Sequence, residues 1–232
     1  MFSYGLGDAG TGLVATQFGF FLFKFFISAG LPVIIAGSLL MLIKIWDAVN
    51  DPLIGWLSDR TKSRWGPRIP WMVAASVPLG FSLAAIWWTP TGSVLTKTIY
   101  YAIISIIVMT AYTSINLPFA ALSTEISEKT AIRTRLNASR FTGSIIAGLT
   151  GLIIAGVVLG SEGSANNEYF LMGKISGCIA VAATLISCWG LAPFAKKARR
   201  PSGKVEAITL QFKRIFRNKK FLKVITLYIL LW

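Results

Sequence analysis

Two carboxylates and an amide lie close together near the end of a long apolar stretch of the chain. Asp47 and Asp51 are four residues apart with Asn50 between them, so on a helix the three side chains share one face. Like charges this close within a membrane-length segment are costly, and such carboxylates mark ion or proton pathways by default. The pattern therefore predicts a site for a cation or for a shared proton. Thr113 would add a hydroxyl oxygen if its helix is adjacent.

Structural ion pairing is the alternative for these carboxylates. A basic segment with Arg60, Arg64 and Arg68 follows directly, and Asp51 or Asp59 would pair with it near the end of the helix. Because Asp59 adjoins the basic segment, pairing is the preferred interpretation for Asp59. The ion or proton site is preferred for Asp47 and Asp51.

Transmembrane helices are the elements that must position these residues. The chain has 232 residues, of which 54% are hydrophobic and 14% charged, and this is too apolar for an ordinary soluble domain. Several runs approach or exceed the roughly 20 apolar residues that cross a bilayer as a helix. An all-α membrane protein is predicted, with spans at 11–27, 33–57, 71–88, 98–122, 140–159 and 169–194. After this six-helix bundle (1–194) we expect a basic amphipathic linker (195–220) and the start of a seventh transmembrane helix (221–232).

The basic residues responsible for the net charge of +14 are concentrated in a few connections. Most of the 23 Lys and Arg residues fall in the connections after spans two, four and six. The positive-inside rule makes these connections cytoplasmic, and the N-terminus with them. The charge therefore predicts a multi-pass protein of the inner or plasma membrane, in contact with the lipid bilayer, and not a partner of nucleic acid. The sequence contains no His, and neither a phosphate-binding glycine loop nor a nucleophile–base pair is visible, so neither an enzyme nor a resident cofactor is expected.

Small residues in span five predict close helix packing. Gly143, Gly148 and Gly151 recur along this span, and Gly156 and Gly160 form a GxxxG pattern. Small side chains let helix backbones approach closely in membranes. Packing within the chain is the favoured interpretation, and association of two copies is the alternative.

Several longer motifs resemble one transporter family. They are Ser3-Tyr4-Gly5-Leu6-Gly7, Trp46-Asp47-Ala48-Val49-Asn50-Asp51-Pro52, Gly55-Trp56, Arg64-Trp65-Gly66, Pro70-Trp71, Ile115-Asn116-Leu117-Pro118-Phe119 and Ser139-Arg140-Phe141. Together they resemble the glycoside–pentoside–hexuronide:cation symporters, the melibiose-permease relatives within the major facilitator superfamily. The resemblance implies cation:sugar symport by alternating access between two six-helix halves. On this basis we expect the chain to be the N-terminal half plus linker, without the C-terminal six-helix half.

The resemblance also implies a role for the residues of the opening pattern. In sodium-coupled members of the family, the positions of Asp47, Asn50, Asp51 and Thr113 bind the cation. All four residue types are present here. Na⁺ or H⁺ is accordingly the expected coupling ion, with Na⁺ held by these four residues if the protein is sodium-coupled.

The solute site matches the family less closely. Melibiose-type members have aspartates where this chain has Gly12 and Asn116, whereas Arg140 is retained. Asp8 lies one turn before Gly12 and is a candidate for a displaced carboxylate. Lys44, one turn before Asp47, is a candidate charge partner in the cavity. Asn116, Arg140, Asp8 and Lys44 are therefore the candidate solute-binding residues.

The nature of the solute remains open at this point. A sugar, a neutral or acidic glycoside, a pentoside, a uronate and a non-sugar solute are all compatible with the motifs. A second class of function is a non-transporting membrane protein, such as a sensor or an assembly subunit, built on the same half-fold.

Overall fold

A computed structural model of the chain describes residues 2–127, 129–160 and 165–197. All of these residues lie in one compact unit, Met1–Arg200. The predicted linker at 195–220 is described only as far as residue 197. The predicted start of a seventh helix, at 221–232, lies outside the described residues.

Every regular element in the described part of the chain is helical. The elements are α1 (Phe2–Gly7), α2 (Ala9–Gln17), a π-helical turn (Phe18–Leu22), α3 (Phe23–Ser28), α4 (Val33–Arg60), α5 (Ile69–Ile86), α6 (Val94–Ile126), α7 (Thr130–Leu159) and α8 (Ala165–Lys197). Within these residues, six segments are long and apolar enough to cross a membrane, the first of them running from Ala9 to Ser28. The prediction of an all-α protein with six spans is confirmed.

Local sequence signals explain where several helices begin. The turn before α4 contains Gly30, whose φ of +89° favours glycine, and Pro32 directly precedes the helix. Pro70 lies in the first turn of α5, where its missing N–H has no intrahelical partner to lose. Before α6, the Ser93 hydroxyl accepts a hydrogen bond from the backbone N–H of Thr96 at 3.3 Å. This bond satisfies one of the unpaired donors of the helix N-terminus.

Helix α7 extends beyond the apolar segment from which it was predicted. It begins at Thr130, whereas the apolar pattern placed the start of the span at Arg140. The additional turns are polar and contain Arg133 and Arg135, so hydropathy alone does not reveal them. Arg133 supports this end of the helix, because its Nε donates to the carbonyl oxygen of Ser127 at 2.7 Å.

The six spans pack around an apolar and aromatic core. Helix α4 packs against α6, and α5 lies against both α6 and α8, while α1 and α2 pack against α7 and α8. Phe25, Trp87 and Tyr101 are fully buried. The rings of Trp87 and Tyr169 stack with an angle of 11° between their planes and 5.7 Å between their centroids. Helices distant in sequence are thereby held together near one end of the bundle.

Glycines of α7 bring this helix close to the first span. A Cβ atom on Gly143 would overlap the carbonyl oxygen of Gly5, and one on Gly148 would lie 2.6 Å from the Thr16 hydroxyl. The prediction of packing within the chain is confirmed at these two positions. Gly156 of the GxxxG pattern has open space beside it, and it does not contribute to this contact.

A buried arginine joins the ends of α4, α5 and α6. Arg68 is only 7% exposed, and its Nη2 lies 2.5 Å from Asp59 Oδ1. Its Nε donates to Glu125 Oε1 at 2.8 Å, and its Nη1 donates to Ser58 Oγ at 2.8 Å. The structural pairing predicted for Asp59 is confirmed, with Arg68 as the partner. A buried guanidinium with this many partners fixes three helix ends relative to one another.

Candidate functional site

One buried polar cluster, here called the Asp8 cluster, consists of Asp8, Thr11, Asn116 and Arg140. Asp8 lies at the break between α1 and α2 and is 4% exposed. Its Oδ2 accepts a hydrogen bond from Arg140 Nε at 3.0 Å. Its Oδ1 accepts from Thr11 Oγ1 at 2.8 Å and from Asn116 Nδ2 at 3.2 Å. Arg140 Nη2 also donates to Asn116 Oδ1 at 3.3 Å, so these three side chains from three spans close a ring.

The backbone at Asp8 explains why its carboxylate is available to the ring. An Asp immediately before a helix usually accepts from the backbone N–H groups of the first turn. Asp8 makes no such capping bond to α2. Its carboxylate instead meets the guanidinium of Arg140, which also lies 5.7 Å from the centre of the Phe119 ring. Removing one charge from such a buried pair leaves the other uncompensated, at a cost of about 3–5 kcal/mol.

A second polar cluster, here called the Asp51 cluster, lies where α4 packs against α6. Thr113 Oγ1 donates to Asp51 Oδ1 at 3.2 Å, which meets the condition that the two helices be adjacent. Asn50 is buried, and its Nδ2 donates to the carbonyl oxygen of Met109 at 3.4 Å. Asp47 is half-buried, and its charge acts on Asp51 electrostatically. The structure thus brings four oxygen-bearing side chains to one helix–helix contact.

The ligand chemistry of the Asp51 cluster is limited to oxygen. Within the described residues, no group of three or more His, Cys, Asp or Glu side chains is placed to hold a metal ion. A cation at this cluster would therefore rely on the Asn50 amide and the Thr113 hydroxyl in addition to the carboxylates. Such a donor set suits a hard, weakly bound cation or a proton and not a tightly held transition metal.

Tyr112 is a further residue near both clusters, and it was not identified from the sequence. It lies on α6 beside Thr113 and one turn before Asn116. Its phenol is within electrostatic range of Asp8, Asp47, Asp51 and Arg140. The sequence signal that could have identified Tyr112 is its spacing from Asn116, since residues four apart on a helix share a face.

Lys44 does not join either cluster. Its side chain is exposed, and among the ion pairs formed by the described residues none joins it to Asp47 or Asp51. The charge partnership expected for Lys44 is therefore not present in this structure. Of the four candidate solute residues, Asp8, Asn116 and Arg140 come together; solute binding by any of the four stays a prediction.

The six long apolar helices define a polytopic membrane protein. The family model described as MFS/sugar transport protein matches residues 3–232. An uncharacterized symporter of Synechocystis sp. is 37% identical over 206 residues, which are 86% of this chain and 38% of the relative. The chain belongs to the glycoside–pentoside–hexuronide:cation symporter family of the major facilitator superfamily, as its motifs predicted. Members of this family are transporters, not enzymes.

Two further relatives show the range of solutes named within the group. The putative glycoside/cation symporter YagG of Escherichia coli is 34% identical over 157 residues, 67% of this chain and 34% of the relative. The sodium-dependent lysophosphatidylcholine symporter 1 of Xenopus tropicalis is 28% identical over 161 residues, 68% of this chain and 31% of the relative. The chain thus spans less than two fifths of the length of each of these relatives.

Proposed function

We propose that this chain is the N-terminal part of a secondary active transporter that couples the movement of a solute to that of Na⁺ or H⁺. In this proposal the Asp51 cluster binds the coupling ion and the Asp8 cluster binds the solute. A second set of helices, outside this chain, closes the cavity in the full-length protein. The connections rich in Lys and Arg, and the N-terminus, face the cytoplasm.

The observation that carries this proposal is the position of two side chains on α6. Thr113 contacts Asp51, and Asn116, three residues later, contacts Asp8 and Arg140. Both side chains lie on one helix face, with Tyr112 in electrostatic range of both clusters. A change at one cluster therefore has a short covalent route to the other along α6. Such contiguity supports coupling between an ion site and a solute site.

The roles of the two clusters follow from their charge balance. Asp47 and Asp51 carry two negative charges that repel each other, so a bound cation or proton stabilises the pair. In the Asp8 cluster, by contrast, Asp8 and Arg140 compensate each other. Their remaining donors and acceptors suit a hydroxyl-rich solute. On binding, the solute replaces its hydrogen bonds to water with hydrogen bonds to these side chains.

A sugar, glycoside or uronate is the solute class that we propose first. The name of the glycoside/cation symporter YagG, 34% identical to this chain, supports it. A non-sugar solute is the second candidate, favoured by the similarity to the lysophosphatidylcholine symporter. The two candidates differ in polarity, so competition between them for uptake separates them.

Uptake by the full-length protein in proteoliposomes tests the proposal. We expect an inward gradient of Na⁺ or of H⁺ to drive accumulation of at least one solute from a panel of sugars, glycosides, uronates and lysophospholipids. The matched control is the same vesicles with the gradient collapsed by an ionophore. If no solute accumulates under either gradient while the protein is folded, the non-transporting alternative, a sensor or assembly subunit, is favoured instead.

A further inference from the structure

An apolar groove runs along the surface of the bundle between the first span, α7 and α8. Its volume is about 440 Å³, within the roughly 300–1,000 Å³ typical of small-molecule sites. Leu6 and Leu13 line it from the first span, Ile146 from α7, and Ile179 and Ala183 from α8. Ile146 is 59% exposed, so the groove is open to its surroundings along α7.

The groove lies apart from both clusters of the proposed transport site. Arg140, although it follows the groove residue Ser139, turns into the bundle to meet Asp8. On α7 the groove is lined by residues that include Ser139, Gly143, Ile146 and Thr150, and Arg140 is not among the lining residues. This spacing of three to four residues is that of a single helix face. No residue of the Asp8 cluster or of the Asp51 cluster lines the groove, so a molecule bound there does not occupy either cluster.

The length of the groove matches one leaflet of a bilayer. From Ser139 to Thr150 helix α7 rises about 16 Å at 1.5 Å per residue. The hydrocarbon core of a membrane is about 30 Å thick, so one leaflet contributes about half of that. A whole transmembrane helix would extend far beyond both ends of the groove. A single extended hydrocarbon chain fits this length.

One end of the groove has a cation beyond it. Ser139 and Thr142 place hydroxyl groups at the end that lies toward the Lys- and Arg-rich side of the bundle. Arg135 lies on the same helix face, four residues before Ser139 and seven before Thr142. It is exposed, and among the described residues it forms no ion pair. A cation at this position is complementary to a phosphate at the membrane surface.

We propose that this groove binds one acyl chain of an anionic phospholipid, with Arg135 contacting the lipid phosphate. The lipid belongs to the leaflet on the Lys- and Arg-rich side and remains bound as a structural ligand that is not transported. The apolar lining accounts for the acyl chain, and the arginine beyond the hydroxyl-lined end accounts for the headgroup. The site is independent of the solute and of the coupling ion.

Photo-crosslinking of the full-length protein in nanodiscs tests this site. The probe is phosphatidylglycerol with a diazirine in one acyl chain, present at a low fraction in phosphatidylcholine, and crosslinked peptides are identified by mass spectrometry. We expect crosslinks to concentrate on the groove residues of α7 and of the first span. Ile146→Trp, which fills the groove from an exposed position, should remove most of them. Thr150→Trp tests the far end of the groove in the same way.

Arginine-dependent selection of the headgroup is the second part of the test. Arg135→Gln should lower labelling by the phosphatidylglycerol probe about fivefold, equivalent to the ~1 kcal/mol that one basic residue near a membrane surface contributes. Labelling by the matching phosphatidylcholine probe should not change. The control variants are Ile103→Trp, an exposed position on α6, which does not line the groove, and Lys62→Gln, in the connection between α4 and α5; neither should alter labelling.

Three results would overturn the proposal. One is labelling spread evenly over all exposed apolar faces, which indicates general contact with lipid. Another is unchanged labelling in both Ile146→Trp and Thr150→Trp. The third is the absence of groove labelling in the full-length protein, as expected if helices outside this chain cover the groove.

Discussion

Asp51→Asn in the full-length protein is expected to abolish the stimulation of solute binding by the coupling cation. The substitution keeps the shape of the side chain and an acceptor for the Thr113 hydroxyl, which lies 3.2 Å from Asp51 Oδ1. It removes one of the two negative charges that a cation or proton at this cluster would neutralise. Stimulation by coupled ligands is typically ~5–150-fold, and it should fall to no stimulation. The measurement is solute affinity with and without Na⁺, and at two pH values.

Thr113→Val provides a milder version of the same test. It removes one oxygen without changing charge, so cation affinity should fall by about tenfold, or ~1.4 kcal/mol, as for a lost hydrogen bond to a charged group. Thr124→Val is the matched control, because among the described residues the Thr124 hydroxyl bonds to the carbonyl oxygen of Ala121 in its own helix. Unchanged cation stimulation in both Asp51→Asn and Thr113→Val would remove the Asp51 cluster from the coupling mechanism.

Breaking the Asp8–Arg140 pair should affect solute binding and folding separately. Arg140→Gln leaves the Asp8 carboxylate, 4% exposed, without its charged partner, so the free energy of unfolding should fall by about 3–5 kcal/mol. The double variant Asp8→Asn/Arg140→Gln removes both charges and should recover most of that loss. Solute binding should be lost in both variants, because the arrangement of donors and acceptors differs from that of the native ring. Thermal unfolding and equilibrium solute binding measure the two effects.

The double variant distinguishes a binding role from a structural one. If the pair serves only to hold α1, α6 and α7 together, a double variant that folds normally will bind solute as the native protein does. That result would contradict the assignment of the Asp8 cluster to the solute. Loss of binding of at least tenfold in a stably folded double variant supports it.

The sequence predicted the helices and some of the site because these depend on local patterns. Apolar runs identified the six spans, and the spacing of Asp47, Asn50 and Asp51 placed the three on one helix face. The start of α7 at Thr130 was missed because polar helical turns have no hydropathy signal. Arg68, the partner of Asp59, is one of the three arginines in the basic segment that follows Asp59 in the sequence.

Contacts between distant residues required the folded structure. The sequence does not show that α4 and α6 are adjacent, so Thr113 is predicted as a ligand only on the condition that its helix lies beside α4. Glu125 as a partner of Arg68, and Tyr112 near both clusters, depend on how α6 packs against its neighbours. Lys44 was placed with the cavity carboxylates because it lies one turn from Asp47, but its side chain is exposed.

The measurement that tests the account most directly is reciprocal binding to the purified full-length protein. Solute affinity is measured by calorimetry at zero and saturating concentrations of the coupling cation, and cation affinity is measured with and without solute. If the two clusters belong to one symport mechanism, both affinities must rise by the same factor, since coupling free energy is reciprocal. We predict equal factors in the native protein and a factor of one in Asp51→Asn. Solute and cation affinities that are independent of each other in the native protein would contradict the central claim.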